Sequence, residues 1–177
     1  MRSFSLSSLL LAISTLLVVG LAGPATAQAQ TPPCSGTYTL DEAASDDFLA
    51  AFEPALQEMN AIKRAIARKM LKRGEGPDRR LTLRQQEGQI TLQGGDRPAV
   101  TLPLNGERVA HTGENGEEVH FRARMRDEVL HVEMETEHGP IRSQYRCREG
   151  GRLDVRTRLE MEQLPRPVSY RMVYRAQ

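Results

Sequence analysis

The side chains able to do chemistry in this chain are few: four histidines, four tyrosines, two cysteines and a basic run from Lys63 to Arg80. None sits in a motif that makes a reaction, for there is no Gly-x-Ser-x-Gly elbow, no His-Glu-x-x-His and no phosphate loop. Glu133 and Glu135 share one strand face, but the arginines expected opposite them hold both ionised. A proton-shuttling pair needs the reverse, with its two pKa values pushed apart. Neither Cys34 nor Cys147 has a second cysteine or a histidine at ligand spacing, so no metal site is expected. Binding chemistry is what is left. His111, Phe121, Tyr145, Tyr170, Met172 and Tyr174 all fall on the apolar side of their segments, with Thr136, Ser143 and Thr157. A few polar groups among hydrocarbon orient a small ligand. His111 has three readings: a ligand contact, a residue near the end of the sheet meeting water or a loop carbonyl, or a haem-iron ligand. The tyrosines are either a recognition set or core residues with satisfied hydroxyls. His120 and His131 belong to the opposite, charged face.

The basic run comprises Lys63, Arg64, Arg68, Lys69, Lys72, Arg73, Arg79 and Arg80. It either docks on an anionic membrane, steers an anionic ligand, or is a solvated helix face whose charges suit a helix C-terminus. A formal net charge of +1 argues against nucleic acid as a partner. Tryptophan is absent and aromatic residues make up only 5%, so broad stacking surfaces are not expected.

These side chains are positioned by strands. From Leu81 onward, short alternating segments are cut by turn signals such as Glu87-Gly88, Gly94-Gly95-Asp96, Asn105-Gly106, Asp127-Glu128, Glu137-His138-Gly139-Pro140 and Glu149-Gly150-Gly151. A two-residue loop at Asp127-Glu128 sets Met125 against Leu130, Ala123 against Val132 and Phe121 against Met134. On the other face Arg124 then meets His131, Arg122 meets Glu133 and His120 meets Glu135. Apolar meets apolar and opposite charges meet, a pattern that a one-residue slip would destroy. A four-residue loop at 137–140 continues the scheme, with Met134 facing Ser143, Val132 facing Tyr145 and Glu135 facing Arg142. A two-residue Asn105-Gly106 loop sets His111 against Val100. With a first strand at Gly36–Leu40, about ten strands run in meander order. A sheet that is apolar on one face must curl, giving an antiparallel barrel or half-barrel.

One helical segment, about residues 45–73, stands between the first and second strands. Ser45 is the expected N-cap, and Phe48, Phe52, Leu56, Met59, Ile62, Ile66 and Met70 form one apolar stripe. Gly74 stops it, and Pro54 divides it into a short helix and a longer one that cap the open end. Residues 1–27 carry a signal-peptide pattern: Arg2, an apolar run from Leu9 to Leu21, then Ala25-Thr26-Ala27. The run is about 13 residues, short of the ~20 that span a bilayer. An exported protein, periplasmic or extracellular, with a single domain over 28–177 is expected. In an oxidising compartment Cys34 and Cys147 form one disulfide; otherwise they are two separate buried thiols.

A first strand, a helical pair and a run of meander strands resemble the calycins, and in that order the fatty-acid-binding branch. Gly36-Thr37-Tyr38 resembles the Gly-x-Trp that opens lipocalins, with Tyr38 in place of Trp. The resemblance implies an internal ligand cavity, and the function expected on that analogy is an exported carrier of a small apolar or amphipathic ligand; with no catalytic motif visible, no enzyme activity and no cofactor are expected. The resemblance also implies Arg171 or Arg175 stacked on Tyr38. An open half-barrel closed by a helical lid, as in periplasmic lipoprotein carriers, is built from the same elements. The alternative function is a solid-cored envelope interaction domain without a ligand.

Overall fold

The structure, a computed structural model, describes residues 34–73, 76–113 and 116–177. The expected signal peptide and the Gly74 stop lie outside them. The chain forms β1 (Gly36–Leu40), a 3-10 turn (Glu42–Ala44), α1 (Phe48–Gln57) and α2 (Ala61–Arg73). The remaining strands are β2 (Arg80–Gln86), β3 (Gln89–Gly94), β4 (Val100–Pro103), β5 (Val109–Thr112), β6 (Glu118–Arg126), β7 (Val129–Thr136), β8 (Gly139–Arg148), β9 (Arg152–Leu159) and β10 (Val168–Ala176). All ten join one antiparallel sheet in the order β4-β3-β2-β1-β10-β9-β8-β7-β6-β5, curled into a nearly closed barrel. Leu83, Ile90, Leu102, Ala123, Leu130, Leu153 and Met172 form its buried core.

The β6–β7 register is the one the charge pairs dictate, from Arg126 opposite Val129 to His120 opposite Glu135. Asp127 and Glu128 both take positive φ, 48° and 62°, the backbone of a tight hairpin turn. The β7–β8 register differs from expectation by two residues. The turn is Glu137-His138 alone, Thr136 pairs with Gly139, and Val132 faces Ser143 while Leu130 faces Tyr145. A two-residue shift keeps every side chain on its face, so apolar alternation could not detect it. The Thr136 hydroxyl closes this turn, donating to the Gly139 carbonyl at 2.9 Å and accepting from the His138 N–H at 3.1 Å.

Nor is Asn105-Gly106 a hairpin turn joining β4 to β5. These strands are the two edges of the sheet, so His111 pairs with Val119 rather than facing Val100. Asn105 instead bridges to Arg124 of β6, and its Oδ1 accepts from the Glu107 N–H at 2.8 Å. The Arg124 side chain lies where a Cβ on Gly106 would be, and Gly106 has φ +85°.

The helical segment also departs from expectation. Asp47, not Ser45, caps α1, its carboxylate accepting from the Ala50 N–H at 3.0 Å. Ser45 is taken by β10, where its Oγ accepts from the Val173 N–H at 2.9 Å. Pro54 lies inside α1, and the break comes at 58–60, where Asn60 Oδ1 accepts from the Lys63 N–H and starts α2 anew. This restart rotates the apolar stripe. Phe48, Phe52, Leu56 and Met59 pack against Val168, Leu159 and Leu164, joined by Ala67 and Leu71 of α2. Ile62, Ile66 and Met70 turn outward instead, 75%, 55% and 68% exposed.

Cys34 and Cys147 are disulfide-bonded, closing a separation of 113 residues and tying the start of the described chain to β8. Asp154 on β9, 7% exposed, stands between Arg152 and Arg148, which accompany it at 3.0 and 3.4 Å. Burial raises its pKa, but hydrogen bonds from Arg152 and Arg148 and the charges of Arg152 and Arg171 outweigh that and hold the carboxyl below its ordinary value. A depressed folded-state pKa stabilises above the unfolded value of about 4 and loses its effect as pH falls through the folded one. Asp154→Asn is therefore expected to cost about 1–3 kcal/mol at neutral pH. In thermal melts the gap between parent and variant should close below about pH 4.

Candidate functional site

The barrel interior places the expected residues together. Cross-strand pairing sets Ser143 beside Thr157, Thr157 beside Tyr170, Tyr145 beside Val155, Val155 beside Met172 and Leu153 beside Tyr174. Ser143 and Thr157 hydroxyls lie 3.1 Å apart. Phe121 is on the same inner face and meets His111 edge to face, ring centroids 5.9 Å apart. His111 therefore sits on an edge strand rather than among the tyrosines. Thr136 is consumed by its turn. Tyr38 also points inward, its hydroxyl 3.8 Å from Cys147 Sγ. Arg175 bonds Asp41 at 2.6 Å and Arg171 donates to the Ala44 carbonyl at 3.0 Å, so neither stacks on Tyr38.

Tyr145 carries the most informative environment. Burial pushes its hydroxyl up to about 12, opposed by a hydrogen bond with Ser143. Burial raises Tyr170 and Tyr174 as well. Yet Tyr145 and Tyr170, like the inward Leu81, Leu92, Val100, Phe121 and Met125, keep part of their surface accessible. All of them pack against the buried core, and none is fully enclosed.

Two residues that alternation could not find complete the polar set. Asp78, in the segment before β2, is ion-paired to Arg97 in the β3–β4 loop. Asp78 precedes β2 at the end of the barrel from which that strand starts, and its charge adds to the burial that raises the Tyr145, Tyr170 and Tyr174 hydroxyls. Gly94 makes room for the pair: a Cβ there would run into the Asp78 carboxylate. Loops carry no period to read, so only the Gly94-Gly95 pair hinted at a close approach.

The helical pair packs at this same end. Phe48 meets Tyr170 edge to face at 5.2 Å, and Phe48 meets Phe52 at 5.1 Å. Leu56 and Phe52 pack on Val168 at the start of β10. Arg64 and Arg68 point toward α1: Arg64 donates to the Met59 carbonyl at 2.9 Å, and Arg68 pairs with Glu53 at 2.6 Å. The outward face of α2 is left with Lys63, Lys69 and Lys72 around Ile62, Ile66 and Met70.

No protein-family model matches the chain, and no curated protein does. Solved structures do. A secretary abundant heat soluble (SAHS) protein from Ramazzottius varieornatus is similar with a TM-score of 0.56 at 12% identity, over 82% of this chain and 96% of that one. Human cRBP IV gives 0.51 at 17% identity, over 81% and 98%. Fatty-acid-binding protein 1 of Echinococcus granulosus gives 0.51 at 14% identity, over 81% and 97%. At such identities the likeness concerns the fold, which is calycin-like.

Proposed function

We propose that this protein is an exported carrier that holds a small apolar or amphipathic ligand in its barrel, with α1 and α2 as the lid. The observation that supports the reading is the partial exposure of inward-facing side chains, Phe121, Tyr145 and Tyr170 among them, in a barrel of this fold. Phe121, Met172 and the aliphatic lining contact the apolar part. Tyr145, Tyr170 and Tyr174 orient a polar end, and His111 contacts the ligand from the edge strand. The disulfide supports export, since such bonds persist in oxidising compartments. Several of the similar structures are named as fatty-acid-binding or transporting proteins, which supports the ligand class.

The exposed Ile62–Ile66–Met70 ridge, flanked by lysines, supports docking of the lid on an anionic membrane. Lys63, Lys69 and Lys72 carry that contact; Arg64 and Arg68 are engaged within the lid.

Protein purified without detergent should release an amphipathic lipid into organic solvent, seen by mass spectrometry. The emptied protein should then take up a fluorescent long-chain amphiphile saturably, and transfer it faster to anionic than to neutral vesicles. An empty extract together with no saturable uptake would sink the carrier reading.

A further inference from the structure

The outer face of β6–β10 carries a second feature that the lumen does not explain. Its basic side chains are arginines and histidines, whereas the chain's lysines, Lys63, Lys69 and Lys72, all lie on α2. Strand pairing arranges this face in rows. One row, Arg124–His131–Gln144–Arg156–Arg171, crosses all five strands and contains no carboxylate. At about 4.8 Å per strand it spans roughly 19 Å. Arg156 stands directly opposite Arg171, and Arg142 directly opposite Arg158 in the neighbouring row. Like charges facing each other across strands destabilise a sheet. Glu160 and Glu133 relieve Arg142, and Glu160 relieves Arg158. Among the described residues Arg124 and Arg156 have no ion-pair partner.

The surface along this row is concave. A groove of about 230 Å³ is lined by Arg122, Arg124, Arg126, His131, Arg142 and Gln144 among others. A second, of about 550 Å³, is lined by Arg142, Gln144, Arg156, Arg171, Asp46 and Tyr170 among others. Both include Arg142 and Gln144, so they form one trough across the strands.

We propose that this trough binds a linear anionic polysaccharide bearing sulfate or carboxylate groups. The charge is complementary, and arginine's planar fork suits carboxylate and sulfate oxygens better than lysine's point charge. A one-dimensional row of arginines fits a chain, since the carboxylates that border the grooves, Glu133 and Asp46, are engaged by Arg142 and by the Arg171 N–H. A flat headgroup layer reaches the rim of a trough rather than its floor. Nucleic acid is disfavoured because Tyr170, the one aromatic residue lining either groove, has its ring engaged with Phe48 rather than free to stack a base. The arginine row is distinct from the membrane-facing ridge on α2, while Tyr170 borders both the trough and the barrel interior.

The test uses a sulfated octasaccharide and a polyuronate oligomer as probes, beside a single-stranded oligonucleotide and anionic vesicles. The octasaccharide should bind at low salt and weaken roughly tenfold between 50 and 200 mM salt, as counterions compete for the arginines. Arg124→Gln/Arg156→Gln should weaken it about fivefold or more. Arg156→Glu should abolish it, while Lys63→Gln/Lys69→Gln/Lys72→Gln leaves it unchanged. The double Gln variant gives up no ion pair among the described residues and removes one facing pair of like charges. It should melt no lower than the parent, which separates lost binding from lost folding. No glycan binding at low salt, binding indifferent to the trough substitutions, or tighter trough-dependent binding of the oligonucleotide or vesicles overturns the proposal. Uptake of the fluorescent amphiphile, measured on the same samples, reports separately on the lumen.

Discussion

Replacing Leu56 by alanine is expected to cost about 2–5 kcal/mol, the range for removing a buried leucine side chain into a site that collapses only partly. Leu56 is 1% exposed and sits with Phe52 and Ala55 against Val168, where the lid meets the last strand. The same cluster, with Phe48 on Tyr170, is what holds the helices there. The surrounding ion pairs, Arg68 with Glu53 and Arg166 with Glu58, are exposed and contribute little. The loss should therefore appear in two ways. Urea melts should shift to a lower midpoint, and amide exchange in α1 and α2 should accelerate more than in β6–β8. Release of a bound amphiphile should also quicken, because the lid opens more often. Faster exchange spread evenly over lid and barrel would show that the helices are not a separate lid.

Loss of the Cys34–Cys147 bond has an effect of similar size by a different route. The bond closes a separation of 113 residues, and cross-linking a loop of that order restricts the unfolded chain by about 2–4 kcal/mol. For a domain of this size, Cys34→Ser/Cys147→Ser should lower the melting temperature by about 5–15 °C. Cys34 is 2% exposed and Tyr38 stands beside Cys147, so the double serine variant also places polar hydroxyls in a packed end of the barrel. Comparing it with Cys34→Ala/Cys147→Ala separates the two causes. If the alanine variant melts with the parent, the cross-link contributes nothing.

The strand order and the apolar face were legible wherever two signals agreed. Between β6 and β7, both hydrophobic and charge pairing reject every register but one, so Arg122 opposite Glu133 was readable to the residue. Between β7 and β8 the charge pair was ambiguous, because Arg142 meets a glutamate whether it faces Glu135 or Glu133, and a shift of two residues leaves alternation intact. The helical stripe misled because a 3.6-residue period was carried across Asn60, whose cap restarts the helix at a new angle. Leu71 and Ala67 took the inward face that Ile66 and Met70 were expected to hold. Asp78 and Arg97 were invisible for a simpler reason: an ion pair between two loops leaves no periodic trace in either.

The gap between β4 and β5 has a consequence for how these molecules meet each other. A sheet with two bare margins can be lengthened by any chain that offers a strand, including a second copy of itself. Here both margins are brief, Val100–Pro103 and Val109–Thr112. Pro103 brings no N–H to the first, and the Asn105 bridge with the Arg124 side chain against Gly106 sets a cation beside the opening. Crowded molecules that approach margin to margin thus meet a short, donor-poor, charged border. The barrel stays open at this seam without becoming a template for fibres.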